Sequence, residues 1–215
     1  MIRAENITKY YPTSSGRHYV FRDASVEIPS RAQVGVLGRN GRGTVDHFGL
    51  HGRVDIQVGT LSKAIGVMGG YIGGRQHLKD YLTQRCRTLL FSTSQPPAVA
   101  AACIAAIDLL ENDTARIERL WDNTRFFKAG LAELGFDTGV SETPITPVMV
   151  GGEADAQALA ARLFELGVFA TSVVYPTVAL GKARIRTIVT SEHSRDDLTA
   201  CLEAFATAGR ELRLI

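Results

Sequence analysis

The residues best suited to chemistry lie in one short run, VGTLSKAIGVMGGYIGG (residues 58–74), in which Lys63 is the only charged side chain. Thr60 and Ser62 stand three and one positions ahead of it, and Gly66, Gly69, Gly70 and Gly73 follow. A lysine amine condenses with a carbonyl only as the neutral base, and small apolar neighbours that exclude water favour that form. Two hydroxyls on the same tight turn can hold a phosphate while the amine reaches a carbonyl of the same ligand. A phosphate and an aldehyde on one molecule describe pyridoxal phosphate. The competing reading is an exposed turn lysine without chemistry, and residue types alone leave both open. The chemical reading requires Lys63 to be dry.

Other constellations are weaker. From Gly38 the spacing Gly-x4-Gly reaches Gly43, but Thr44 and Val45 stand where a phosphate-cradling loop needs Lys and Ser or Thr. With no acidic strand end of the ATPase type either, nucleotide hydrolysis is excluded. His47 and His51 have a helical metal spacing, yet Gly49 lies between them and no third ligand is near. His193 reads as a capping or surface residue. Lys and Arg number 24 against 22 Asp and Glu, a net charge of +2, and Arg39, Arg42, Arg53, Arg85 and Arg87 do not alternate with aromatics. No nucleic-acid footprint is present. Three scattered cysteines, Cys86, Cys103 and Cys201, fit a reducing, cytoplasmic setting. The apolar run PPAVAAACIAAIDLL (96–110) is too short to cross a bilayer and is expected to be a buried helix.

The positioning elements follow from the pattern. Residues 1–34 alternate in short Tyr-, Val- and Ile-rich segments around the turn cluster PTSSG and predict an antiparallel β ribbon. From residue 35 the texture is α/β. Strands are expected at 34–38, 54–59 and 67–73, as interior members of a parallel sheet. Pro96 and Pro97 open the alanine-rich helix. The next helix places Ile117, Leu120, Trp121, Thr124, Phe127, Leu131 and Leu134 on one stripe and stops at Gly135, which puts Trp121 in the core. Residues 135–215 read as a small α/β module: strand TPVMVG, a helix ending at Gly167, strands VFATSVVYP and ARIRTIVT, and a helix from Arg195 to Leu212 capped by Ser194 and Asp197. The division expected is 1–34, 35–134 and 135–215.

Three stretches in order, GRNGRGTVDHFGLHGRVDIQVGTLSKAIGVMGGYIGG, LFSTSQPPAVAAACIAAI and YPTVALGKARIRTIVTSEHS, closely resemble the α-oxoamine synthase family. The resemblance runs from about Gly35 to Ile215. It implies part of a fold-type I, aspartate aminotransferase-like pyridoxal-phosphate transferase: a remnant of the large-domain sheet, a small C-terminal α/β domain and the added N-terminal ribbon. It implies that Lys63 condenses with pyridoxal phosphate, with Thr60 and Ser62 beside the phosphate. Ser92 and Thr93 would be phosphate ligands donated across a homodimer. Arg186 would grip the amino acid carboxylate, a task suited to its planar fork. The implied reaction condenses a glycine-like amino acid with an acyl-CoA and releases carbon dioxide.

Departures accompany the likeness. Pro29 and Ala32 stand where the family carries an aspartate for the pyridinium nitrogen and a histidine. Residues 1–34 instead resemble the opening strands of an ABC transporter ATP-binding subunit, with Tyr10 or Tyr11 at the adenine-stacking place. A truncated or chimeric chain is therefore expected, with impaired turnover. An inactive fragment and a nucleotide-binding module stay open as alternatives.

Overall fold

The computed structural model describes residues 2–13, 16–28, 42–93 and 95–215. Strands β1 (Ile2–Thr13) and β2 (Gly16–Ile28) form an antiparallel ribbon closed by the pair Thr13 and Gly16, with register shifts between Ala4 and Tyr10. Pro12, Thr13 and Gly16 of the PTSSG cluster thus stand at the closed end of the ribbon, while Ser14 and Ser15 lie outside the described residues. Pro29, Ala32, the strand expected at 34–38 and the Gly38–Gly41 turn lie outside the described residues.

A short helix α1 (Thr44–His47) precedes strands β3 (Ile56–Thr60) and β4 (Gly70–Gly74). His51 bonds through Nε2 to Asp46 Oδ1 at 2.9 Å, so its ring is engaged with a carboxylate beside α1. The expectation of parallel strands is corrected here: β3 and β4 pair antiparallel, with Val58 opposite Ile72 and Thr60 opposite Gly70. The connecting residues 61–69 are too few for the crossover of about a dozen residues or more that parallel neighbours require. Glycine is needed at position 70, where a Cβ would stand 2.7 Å from the Gly59 carbonyl oxygen.

Helices α2 (Gln76–Arg85), α3 (Arg87–Leu90), α4 (Pro97–Asn112) and α5 (Thr114–Glu133) follow. Pro97 occupies the first turn of α4, where a missing N–H costs nothing. The expected burial of α4 is not found. Ile104, Ile107 and Leu109 are 61, 41 and 57% exposed, because apolar residues surround the helix while no described element covers it. In α5 the stripe holds: Ile117, Thr124, Phe127 and Leu131 are buried, and Gly135 follows the helix with φ 97°. Trp121 departs from the core position expected. It is half-buried, on an open groove with Ile117, Lys128 and Glu142, since no described element closes over that side of α5.

The C-terminal module comprises β5 (Ile145–Gly151), α6 (Glu153–Glu165), β6 (Thr171–Val173), β7 (Ala183–Ile188) and α7 (Arg195–Glu211). Its sheet runs β5-β7-β6 with antiparallel neighbours throughout. Val148 and Ile185, opposite one another, face α6 and α7 and join Phe127, Leu131, Phe136, Leu159, Leu163, Leu198 and Phe205 in one core. Phe205 meets Phe127 and Phe136 edge to face, at centroid distances of 6.2 and 5.6 Å. Arg162 of α6 forks onto Glu211 of α7 at 2.6 and 3.1 Å.

The cap read from Ser194 and Asp197 is a reciprocal box. The Asp197 N–H donates to Ser194 Oγ at 3.1 Å, and the Ser194 N–H donates to Asp197 Oδ2 at 2.9 Å. Ser194→Ala is expected to lower stability by about 1 kcal/mol in urea unfolding. The Ser194 hydroxyl and N–H hold the Asp197 carboxyl below its ordinary 3.8. The cap's contribution is therefore complete above that value and lost as pH falls through the lower folded-state value. Acid titration of far-UV ellipticity should show Asp197→Asn abolishing this component.

Candidate functional site

The 61–69 connection is pinned by three backbone bonds: Leu61 N–H to Gly69 O at 2.8 Å, Val67 N–H to Leu61 O at 3.0 Å and Gly66 N–H to Lys63 O at 3.0 Å. Gly66 and Gly69 adopt φ 73° and 104°, which side chains with a Cβ disfavour. This geometry brings Thr60, at the end of β3, against Ser62. Their hydroxyl oxygens lie 2.9 Å apart, and the Ser62 N–H donates to Thr60 Oγ1 at 3.4 Å. Two hydroxyls, an amide N–H and the Lys63 amine thus share one loop. That donor set fits a ligand bearing both a phosphate and an aldehyde.

The dryness expected of Lys63 is not found. Its side chain is exposed and makes no hydrogen bond or ion pair among the described residues. The small neighbours Ala64, Gly66 and Gly69 add no bulk, while Val58, Met68 and Ile72 are 76, 65 and 55% exposed. The described residues give the loop its donors and leave it uncovered.

Ser92 and Thr93 follow α3 and are exposed. The side-chain amide of Gln95 occupies the place where a Cβ on Gly69 would sit, so Gln95 lies beside the Lys63 loop within one chain.

Arg186 lies on β7, the central strand, between Pro147 and Thr171. Alternation sends Ala183, Ile185 and Thr187 to the helices and Arg184 and Arg186 to the open face. The Arg186 guanidinium is exposed without a partner among the described residues, whereas Arg184 Nε donates to Lys182 O at 3.0 Å. The extensive packing of β3, β4, α2 and α3 stays among themselves, and that of β5–β7 is with α6. Thr60, Ser62 and Lys63 form one cluster, and Arg186 sits on a separate sheet.

Sequence reading missed Lys128. Burial pushes its amine below the usual lysine range, and it donates to Ser141 O at 2.7 Å, tying α5 to the 141–145 loop. Its place beside Thr124 and Leu131 on the buried stripe was the available signal. The cysteines also separate. The Thr88 hydroxyl, 3.2 Å away, and the Leu89 N–H lower the Cys86 thiol below its ordinary value, while burial pushes Cys201 up to about 11. Since the thiolate is the nucleophile, limiting iodoacetamide at about pH 8 should label Cys86 well ahead of Cys201, read by peptide mass.

The family described as aminotransferase class I and II matches residues 33–205. The 8-amino-7-oxononanoate synthase of Symbiobacterium thermophilum is 61% identical over 84% of this chain and 46% of its own length. That of Exiguobacterium sibiricum is 58% identical over 90 and 50%. Among solved structures, the serine palmitoyltransferase of Sphingomonas wittichii superposes with TM-score 0.78 at 30% identity, over 85% of this chain and 46% of that one. A serine palmitoyltransferase from S. paucimobilis, solved with bound pyridoxal phosphate and myriocin, gives 0.76 at 30% over the same shares. The chain spans about half the length of the curated relatives it matches.

Proposed function

Because this chain belongs to the aminotransferase class I and II family, we propose that it serves a pyridoxal-phosphate-dependent C-acyltransferase of the α-oxoamine synthase kind. The observation that carries the reading is the pinned loop on which the Thr60 and Ser62 hydroxyls meet beside Lys63. Pyridoxal phosphate, when bound, supplies an electron sink for a carbanion at the amino acid's α-carbon. Thr60 and Ser62 hold the phosphate by hydrogen bonds. The Lys63 amine would hold the cofactor at its aldehyde carbon and would afterwards hold the proton lost from the amino acid's α-carbon. Arg186, with its fork unpaired, grips the substrate carboxylate and orients the bond to be broken. Ser92 and Thr93 complete the phosphate site across a homodimer.

The relatives' names sharpen the substrates. A nine-carbon product with its amine on carbon 8 and its ketone on carbon 7, made by decarboxylative condensation, needs alanine and a seven-carbon acyl thioester ending in a carboxylate. This replaces the glycine-like amino acid with its next homologue. A cytoplasmic setting suits both the substrates and the three free cysteines. The division into 1–34, 35–134 and 135–215 goes with this reading.

A second reading is favoured by the exposure of Lys63: a chain that folds its C-terminal module and turns nothing over by itself. Mixing the purified chain with pyridoxal phosphate separates the two. A visible absorbance band that Lys63→Ala lacks supports the first. A folded far-UV spectrum with no band supports the second.

A further inference from the structure

The open face of β7 carries more cationic charge than one carboxylate uses. Arg184 and Arg186 both alternate away from the helices, and Lys182 stands just ahead of the strand. Next neighbours on one face of a strand lie about 7 Å apart, so both guanidinium groups are within reach of one extended ligand. Neither arginine, nor the Lys182 amine, has a carboxylate partner among the described residues, whereas Arg116, Arg125 and Arg162 each have one. The Asp137 carboxylate, beside β5, is taken by the Gly139 N–H at 2.8 Å. Like charges so placed repel, and a bound anion relieves the repulsion. Arg184 also differs from Arg186 in its surroundings. It is half-buried where Arg186 is exposed, and its register partners are Met149 on β5 and Val173 on β6, against Pro147 and Thr171 for Arg186. Opposed residues share a face, so the Arg184 stem runs between two apolar side chains. The 137–139 turn lies along that side: the Met149 N–H donates to Asp137 O at 2.7 Å, and a Cβ on Gly139 would stand 3.8 Å from Met149 Cγ. The bond from Arg184 Nε to Lys182 O holds the fork in place and leaves both Nη nitrogens without a partner among the described residues.

We propose that Arg184, with Lys182 beside it, takes an anionic group of the acyl thioester while Arg186 holds the amino acid's carboxylate, a subsite that rests on the C-acyltransferase reading. That reaction brings two substrates together at one carbon, so the acyl half must lie next to whatever Arg186 holds. Arg184 is the adjacent cation on the same face, and Met149 and Val173 give it flanks suited to methylene groups. The acyl half offers anions in two places: the carboxylate that closes the seven-carbon chain and, where the carrier is coenzyme A, its phosphates. Both present paired oxygens to which a planar fork donates in the same way.

The test titrates the full chain, labelled with nitrogen-15, with heptanedioate, heptanoate and coenzyme A, following the arginine Nε–H signals assigned from Arg184→Gln and Arg186→Gln. Arg184→Gln is expected to weaken heptanedioate or coenzyme A by about tenfold or more, and to leave heptanoate, whose single carboxylate Arg186 takes, unchanged. Weakening of heptanedioate identifies the chain's carboxylate as the anion, and weakening of coenzyme A identifies the phosphates. Arg184→Lys, which keeps the charge without the fork, should recover part of the affinity, with the urea transition of both variants unmoved. Failure of wild type to bind either heptanedioate or coenzyme A, equal binding of both by wild type and Arg184→Gln, or equal weakening of all three ligands overturns the proposal. An Arg184 effect on a chain that shows no Lys63-dependent band with pyridoxal phosphate upholds the anion site and refutes the catalytic reading. A band with no Arg184 effect does the reverse.

Discussion

Phe205→Ala is expected to unfold the C-terminal module. The ring is 0% exposed and closes an edge-to-face cluster with Phe127 and Phe136 that joins α5 to α7. Emptying such a site costs about 3–5 kcal/mol, through lost transfer energy and the cavity left behind. A module of this size holds a stability near the low end of the usual 5–15 kcal/mol or so. The loss therefore removes most of what is available. Urea unfolding followed by far-UV ellipticity should find the variant unfolded, or with its midpoint displaced to very low urea. Phe169→Ala is the control: at 84% exposed, that ring should change the midpoint little. A Phe205→Ala midpoint as high as that of Phe169→Ala would contradict the packing described.

The second large effect concerns the cofactor's phosphate. If Thr60 and Ser62 donate to it, each hydroxyl makes a hydrogen bond to a charged group, worth about 1.5–3 kcal/mol. Thr60→Val keeps the shape and removes the donor. It should weaken pyridoxal phosphate binding by roughly ten- to a hundredfold in a spectroscopic titration. Pyridoxal without the phosphate should bind wild type and variant alike. Equal weakening for both ligands would place the hydroxyl elsewhere than at the phosphate.

What was legible in the sequence was local. Ser194 and Asp197 announce the start of α7 because a capping box needs only residues three apart. Gly135 and Gly167 mark helix ends because the left-handed backbone there, φ 97° and 85°, favours a residue without a Cβ. The Thr60 and Ser62 hydroxyls, two positions apart in the sequence, lie 2.9 Å from each other at the end of β3. The failed burial readings depend on what lies against an element. Trp121 and α4 carry core-like sequence, yet burial is a property of the neighbour, and no described element closes over that side of α5 or covers α4. The environment of Lys63 is the same case: small residues leave room for a water-excluding wall and do not build one. The pairing sense of β3 and β4 was decided by the length of the 61–69 connection, a cue present in the sequence and overruled there by the wider expectation of a parallel sheet.

The central claim is that the loop amine at position 63, rather than any other in the chain, is the one built to receive an aldehyde cofactor. Borohydride reduction of the chain mixed with limiting pyridoxal phosphate, followed by digestion and peptide mass mapping, tests it directly. The account predicts the cofactor's mass on Lys63, with Lys9, Lys79, Lys128 and Lys182 unmodified. Label spread over those lysines with no preference for Lys63 would contradict it.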